Sequence, residues 1–321
     1  MLDRTVIRES LGRCLTDASP LGLPGFRRGK VRDVFDLGDR LLLVTTDRQS
    51  AFDRVLAAVP FKGQVLNQVS AFWFDETSDI TANHVVSVPD PNATLARKCR
   101  VFPVEFIVRG YLTGSTSTSA WTLYSSGSRD ICGNRLPDGM VKNQRFPKPI
   151  ITPTTKSDEH DESITPAEIV SRGLMTRGQW EEASAAALAL FGRGTAVAAR
   201  NGLILVDTKY EMGLDDSGRL TVVDEIHTPD SSRYWLSESY EERLAEGREP
   251  DNIDKEFLRL WFRDNCDPYN DPVLPEAPAE LVEELSARYI KLYEMITGSE
   301  FVPPPPGDPL ERLRSAVGRL A

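Results

Sequence analysis

Residues 203–233 read LILVDTKYEMGLDDSGRLTVVDEIHTPDSSR. An apolar run, Leu203 to Val206, leads straight into Asp207, Lys209 and Glu211. Alternate residues of a β-strand share a face, so these three side chains are expected to project together. Asp216, Ser217 and Gly218 supply turn chemistry, and a second apolar run (Leu220, Val222, Val223) brings up Asp224 and Glu225. The expected object is a β-hairpin with a lysine and several carboxylates near one end. Magnesium prefers hard oxygen ligands and usually takes one or two carboxylates together with phosphate oxygens, so this cluster could hold a divalent cation and a polyphosphate. The competing reading is a half-buried strand pair whose solvent face is simply charged. Alternation turns Glu225 to the face opposite Asp224 and leaves it without a role.

The chain around this hairpin has 321 residues, enough for one large or two smaller domains, and its 27% charged and 40% hydrophobic residues are ordinary for a globular protein. A net charge of -10 lends no support to general nucleic-acid binding. No apolar run approaches membrane-spanning length, and MLDRTVIRES lacks a signal-peptide core, so neither a membrane nor a secretory role is expected. Cys14, Cys99, Cys132 and Cys266 are far apart and form no CxxC pair. Free thiols in a reducing compartment are expected, with the cytoplasm as the natural inference. With only three histidines, a structural zinc site is not expected.

Residues 30–37 and 40–46 read as a hairpin about Gly38-Asp39, and residues 64–77 as an amphipathic helix. Residues 101–108 read as a strand, placed at an edge or bulge by Pro103. A short helix follows over 117–126. The next stretch, to about Thr165, is rich in Pro, Gly, Thr and Asp and reads as a long, functional loop. Residues 176–199 form a helix, and helices dominate after the central hairpin, at 237–245, 255–262, 279–297 and 310–320. Pro303 to Pro306 reads as a stiff linker before the last of these. Early strands, late helices and hairpin connections indicate an α+β fold rather than a doubly wound parallel sheet.

Several nucleotide signatures nearly match. GFRRGK (25–30) is one residue short of a P-loop and has Val31 where Ser or Thr is required, and Gly192-Arg193-Gly194 lacks the third glycine of a dinucleotide fingerprint. Gly29 and Lys30 nevertheless stand at the mouth of a hairpin, the arrangement in which a kinase-type loop covers phosphates; the bland alternative is a basic turn. VRGYLTGSTSTS (108–119) joins an arginine at a strand end to hydroxyl and backbone donors, either an anion cradle or an ordinary helix N-cap region. PDSSR (229–233) carries the same ambiguity. ITPTTKSDEHDESIT (151–165) crowds Lys156, His160 and Asp161 among other charges, which reads either as a solvated loop or as one that orients a phosphate or an amine.

Taken together, GKVRDVF, TTDRQSAFD, KGQVLNQVSAFWF, FPVEFIVRGYLTGS, ITPTTK with HDESI, LVDTKYEMG and VDEIHTPDSSRYW closely resemble the phosphoribosylaminoimidazole-succinocarboxamide synthase (SAICAR synthetase) family, in the family's order and over nearly the whole chain. The resemblance implies an ATP-dependent ligase. Such an enzyme joins L-aspartate to the carboxylate of carboxyaminoimidazole ribonucleotide (CAIR) through an acyl phosphate, forming SAICAR, ADP and phosphate in purine biosynthesis. It also implies a small N-terminal antiparallel β-rich lobe (1–107) over a larger α/β lobe (108–321) with ATP in the cleft, reminiscent of kinases and ATP-grasp enzymes. The implied partners are small molecules, with the chain a monomer or small homo-oligomer. By similarity, Gly29, Lys30 and Arg32 cover the phosphates, and Glu105 lines the adenosine pocket. Lys209 contacts phosphate, and Glu211 and Asp224 serve magnesium. Arg109 and Ser115 bind the imidazole nucleotide or its carboxylate, Asp207 orients the substrate, and Asp230 and Arg233 belong to the substrate site. Arg259 holds the ribose phosphate, while Lys156 and the His160-Asp161 pair border the aspartate or nucleotide site. Met212, Gln49 and Ser163 depart from the family pattern. The alternative function is a kinase-like phosphotransferase with another small-molecule acceptor, against which no HRD or DFG element is present.

Overall fold

The structure is a computed structural model, and it describes residues 2–52, 54–116, 118–156, 162–253 and 256–318. It is α+β, with mainly antiparallel sheets and helices concentrated late in the chain. The chain divides into two compact units, Met1–Phe72 with Val85–Lys98 and Ile253–Ala321, and Trp73–His84 with Cys99–Asn252.

The first unit is built on a five-stranded antiparallel sheet in the order Arg27–Arg28, Arg32–Asp36, Arg40–Thr45, Ala93–Arg97, Val85–Asp90. The hairpin expected about Gly38-Asp39 is its centre, with Asp36 paired to Leu41. Phe35, Leu42, Val44 and Ala93 from the sheet are buried together with Leu313 and Val317 from helix Pro309–Val317. The C-terminal helix completes the N-terminal core, and a break at residue 107 would cut through strand Arg100–Tyr111.

A buried ion pair fixes the glycine turn of this sheet. Arg48 Nη2 donates to Asp33 Oδ1 at 2.8 Å, and the same guanidinium donates to the carbonyls of Gly29 (3.0 Å), Lys30 (3.2 Å) and Thr16 (2.6 Å). Asp33 in turn accepts from the Ala18 amide at 2.8 Å. Removing one member of a buried pair leaves the other charge uncompensated. Arg48→Ala is therefore expected to cost about 3–5 kcal/mol of stability, read by urea denaturation. A loss below ~1 kcal/mol would contradict this reading of the pair.

The second unit holds a seven-stranded sheet. Its main path runs Arg145–Ile151, Arg100–Tyr111, Leu203–Leu214, Leu220–Val223, Ala82–Asn83, with Thr154–Thr155 also on Arg100–Tyr111 and Ser232–Leu236 also on Leu203–Leu214. Only the contact of Leu220–Val223 with Ala82–Asn83 is parallel among the described pairs. Of the two positions that Pro103 allows, an edge or a bulge, the strand takes the second: it is interior to the sheet. The register shifts between Glu211/Glu105 and Gly213/Val101, so Pro103 sits in a bulge, where its missing N–H breaks no ladder bond. The long region before Thr165 is likewise not a single loop, because Arg145–Ile151 pairs with Arg100–Tyr111 through it. Helix Arg177–Arg200, capped by Thr176 and Gln179, lies close on this sheet. A Cβ on Gly110 would come within 3.1 Å of the Phe191 ring, and Trp180 stacks on Phe106 with ring centroids 5.4 Å apart.

Candidate active site

Strand Leu203–Leu214 alternates as its sequence requires: Thr208, Tyr210 and Met212 are buried, while Asp207, Lys209 and Glu211 are partly exposed on the other face. Sheet register then adds neighbours that no local pattern reveals. Asp207 stands directly opposite Arg109 on one side and Arg233 on the other, and Glu211 stands opposite Glu105 and Val223. Opposed residues of antiparallel strands share a face, so two charged rows cross the sheet.

In the first row, Asp207 Oδ2 lies 3.9 Å from Arg109 Nη1 and 3.8 Å from Arg233 Nη1. Arg109 Nε also donates to Thr152 Oγ1 at 2.7 Å, which orients the guanidinium. Burial lowers the Arg109 pKa, Asp207 opposes that shift, and Arg233 adds to it. Two guanidinium groups share one carboxylate here, so an incoming anion would be electrostatically welcome.

In the second row, Lys209 Nζ donates to Glu105 Oε1 at 3.0 Å, and Lys156 pairs with Glu211. Burial alone would lower the Lys209 pKa, but Glu105, and then Glu211 and Asp224, more than offset it, so the ammonium is held protonated. The Glu211 pKa is raised by burial first and by Asp224 second, with Lys156 and Lys209 opposing. Glu211 and Asp224 are thus two carboxylates close enough to repel, which is the repulsion a divalent cation relieves. No group of three or more His, Cys, Asp or Glu side chains positioned to hold a metal occurs among the described residues. A two-carboxylate donor set fits magnesium that draws its remaining ligands from phosphate and water.

Asp224 follows strand Leu220–Val223 in the left-handed region, at φ 68°. The loop after it is internally bonded: Thr228 Oγ1 donates to Glu225 Oε2 at 2.8 Å, the Thr228 amide donates to Ser231 Oγ at 3.1 Å, and the Lys209 amide donates to the Ser231 carbonyl at 3.1 Å. Glu225, which alternation left without a role, is therefore a buried brace for the turn that carries Asp230.

The second unit thus brings together Glu105, Arg109, Lys156, Asp207, Lys209, Glu211, Asp224 and Arg233. Ser115 lies exposed in the turn after strand Arg100–Tyr111, next to Gly114 at φ 106°. Gly29, Lys30, Arg32 and Arg259 belong to the first unit. Gly29 is required there by its turn, because a Cβ would stand 2.8 Å from the Arg32 carbonyl oxygen. Arg259, on helix Glu256–Asn265, has its guanidinium 5.1 Å from the Phe52 ring centroid. His160 and Asp161 lie outside the described residues. Sequence reasoning missed Thr152, Arg48 and the buried pair Tyr210 and His227, whose Nε2 lies 2.5 Å from the Tyr210 hydroxyl. All four lie inside motif segments, but only tertiary contact shows what they hold.

This α+β fold has counterparts among solved structures. A SAICAR synthase from Saccharomyces cerevisiae, complexed with SAICAR, superimposes with a TM-score of 0.76 at 34% identity, covering 87% of this chain and 97% of that one. The SAICAR synthetase family model matches residues 25–275. A phosphoribosylaminoimidazole-succinocarboxamide synthase of Legionella pneumophila (strain Lens) is 62% identical over 90% of this chain and 92% of its own length. The chloroplastic synthase of Arabidopsis thaliana is 58% identical over 95% of this chain and 75% of its own. The chain belongs to the SAICAR synthetase family.

Proposed function

We propose that this enzyme joins L-aspartate to the carboxylate of CAIR at the expense of ATP, giving SAICAR, ADP and phosphate in purine biosynthesis. Membership of the family supports the reaction, and the observation that carries the site is the shared face of Asp207, Lys209 and Glu211 beside Asp224. A carboxylate does not acylate an amine at neutral pH, because oxide is too poor a leaving group. Transfer of the γ-phosphoryl group to a carboxylate oxygen of CAIR forms an acyl phosphate and releases ADP. The neutral amine of aspartate then attacks the acyl carbon, and phosphate leaves with that oxygen. Positioning and charge neutralisation supply most of the rate in such chemistry.

In this reading Lys209 and Lys30 contact phosphate oxygens, with the Gly29 turn and Arg32 alongside Lys30, and Glu105 orients Lys209 beside the nucleotide. Magnesium, when bound by Glu211 and Asp224, offsets negative charge on the phosphates. Arg109 and Arg233 hold the anionic imidazole nucleotide, Asp207 keeps both guanidinium groups in register, and Ser115 and Asp230 complete that subsite. Lys156, with His160 and Asp161, borders the aspartate or nucleotide subsite. Arg259 takes the ribose phosphate. The four cysteines are free thiols, which fits a reducing compartment such as the cytoplasm.

The acyl-phosphate route has an isotopic consequence. CAIR labelled with ¹⁸O in its carboxylate should deliver one labelled oxygen to the released phosphate, read by mass spectrometry; unlabelled phosphate would exclude the route. Arg259→Ala should raise the KM for CAIR about 10- to 100-fold, the cost of losing charged hydrogen bonds to phosphate, and leave the KM for ATP nearly unchanged. An equal loss for ATP would assign Arg259 to the nucleotide instead.

A further inference from the structure

The loop bearing Asp224 passes twice through the left-handed region, at Asp224 (φ 68°) and at His227 (φ 50°). Side chains with a Cβ rarely adopt that conformation, so it persists only where surrounding contacts enforce it. His227 supplies such contacts. It is fully buried, its ring stands edge-on to Trp73 with centroids 4.7 Å apart, and its carbonyl accepts from the Tyr234 hydroxyl at 2.8 Å. A Cβ on Gly194 would come within 2.5 Å of His227 Cε1, so helix Arg177–Arg200 closes the pocket around the ring.

The polar contact is specific. His227 Nε2 lies 2.5 Å from the hydroxyl of Tyr210, which sits between Lys209 and Glu211 and points to the buried face of their strand. Burial pushes the imidazole pKa down to about 3, so the ring is neutral at working pH and carries no charge to the site. Nor is it a simple apolar filler. Its Nδ1 has no hydrogen-bond partner among the described residues, a cost that a leucine or phenylalanine would avoid. What an apolar residue cannot provide is the bond to Tyr210.

We propose that His227 is a positioning residue for the metal-phosphate site: through Tyr210 it ties the Asp224 loop to the strand bearing Lys209 and Glu211 and so sets the spacing of the two carboxylates. The inference rests on the reading of Glu211 and Asp224 as metal ligands. Residues that orient metal ligands typically contribute a factor of about 10–100 to affinity.

The test is Mn²⁺ affinity in the presence of ADP, read from the electron paramagnetic resonance signal of free Mn²⁺, well below the melting temperature of each variant. Tyr210→Phe and His227→Leu should each weaken Mn²⁺ binding about tenfold or more. His227→Gln, which can place a polar atom near the Nε2 position, should recover most of the loss. Wild-type affinity in Tyr210→Phe and His227→Leu, with only their melting temperatures lowered, would reduce His227 to core packing and overturn the proposal. Glu211→Gln separates the two levels. If it binds Mn²⁺ as the wild type does, the metal reading itself falls, and this inference falls with it.

Discussion

Asp224→Asn should lower kcat about 100- to 1000-fold while the protein remains folded, the scale on which removal of one preorganised electrostatic partner acts. The substitution keeps the shape of the side chain and discards its charge. Asp224 lies at the end of strand Leu220–Val223, partly exposed, and it acts on Glu211 and Lys209 through its field. Without it Glu211 loses the neighbour that helps raise its pKa, and the divalent site loses one of two anionic ligands. Circular dichroism and melting temperature should stay near wild type. A normal rate at saturating magnesium would remove Asp224 from the metal site.

Lys209→Met should be comparably severe, about 100-fold or more in kcat/KM for ATP. Methionine preserves much of the length and apolar stem of lysine but cannot neutralise phosphate charge. The change also strips Glu105 of a donor at 3.0 Å and removes a cation that opposes the raised pKa of Glu211. Three acidic groups would then face an incoming polyphosphate with Lys156 as the cation paired to Glu211. ATP kinetics within twofold of wild type would show that Lys209 serves the sheet rather than the nucleotide.

The strand period was the most legible feature. Two-residue alternation is a local property, so Asp207, Lys209 and Glu211 could be placed on one face from their spacing, and the structure has them there. Alternation does not reach Glu225, because the strand ends at Val223 and Asp224 turns left-handed, and the hydrogen bond from Thr228 to Glu225 depends on that loop conformation. Cross-strand register was not legible. Arg109 and Arg233 come from distant segments, and only the pairing of three strands sets both opposite Asp207. Pro103 allowed either an edge or a bulge, and only the register of Arg100–Tyr111 against Leu203–Leu214 decides for the bulge. The packing of the C-terminal helix was not legible either, because its partners, Phe35 and Leu42, lie at the other end of the chain. The left-handed turn at Asp224 is equally hidden, since aspartate gives less notice of such a conformation than glycine does. Family resemblance proposes a role for Arg259 that no pattern in this chain would have singled out.

The central claim is that ATP is consumed only to couple aspartate to CAIR. Phosphate release from Mg-ATP should be measured with CAIR and L-aspartate together and with each omitted in turn, beside the yield of SAICAR. One phosphate per SAICAR, with sustained turnover only when both substrates are present, is the expected result. Sustained phosphate release that ignores aspartate or CAIR, or a stable phosphorylated product in place of SAICAR, would contradict it.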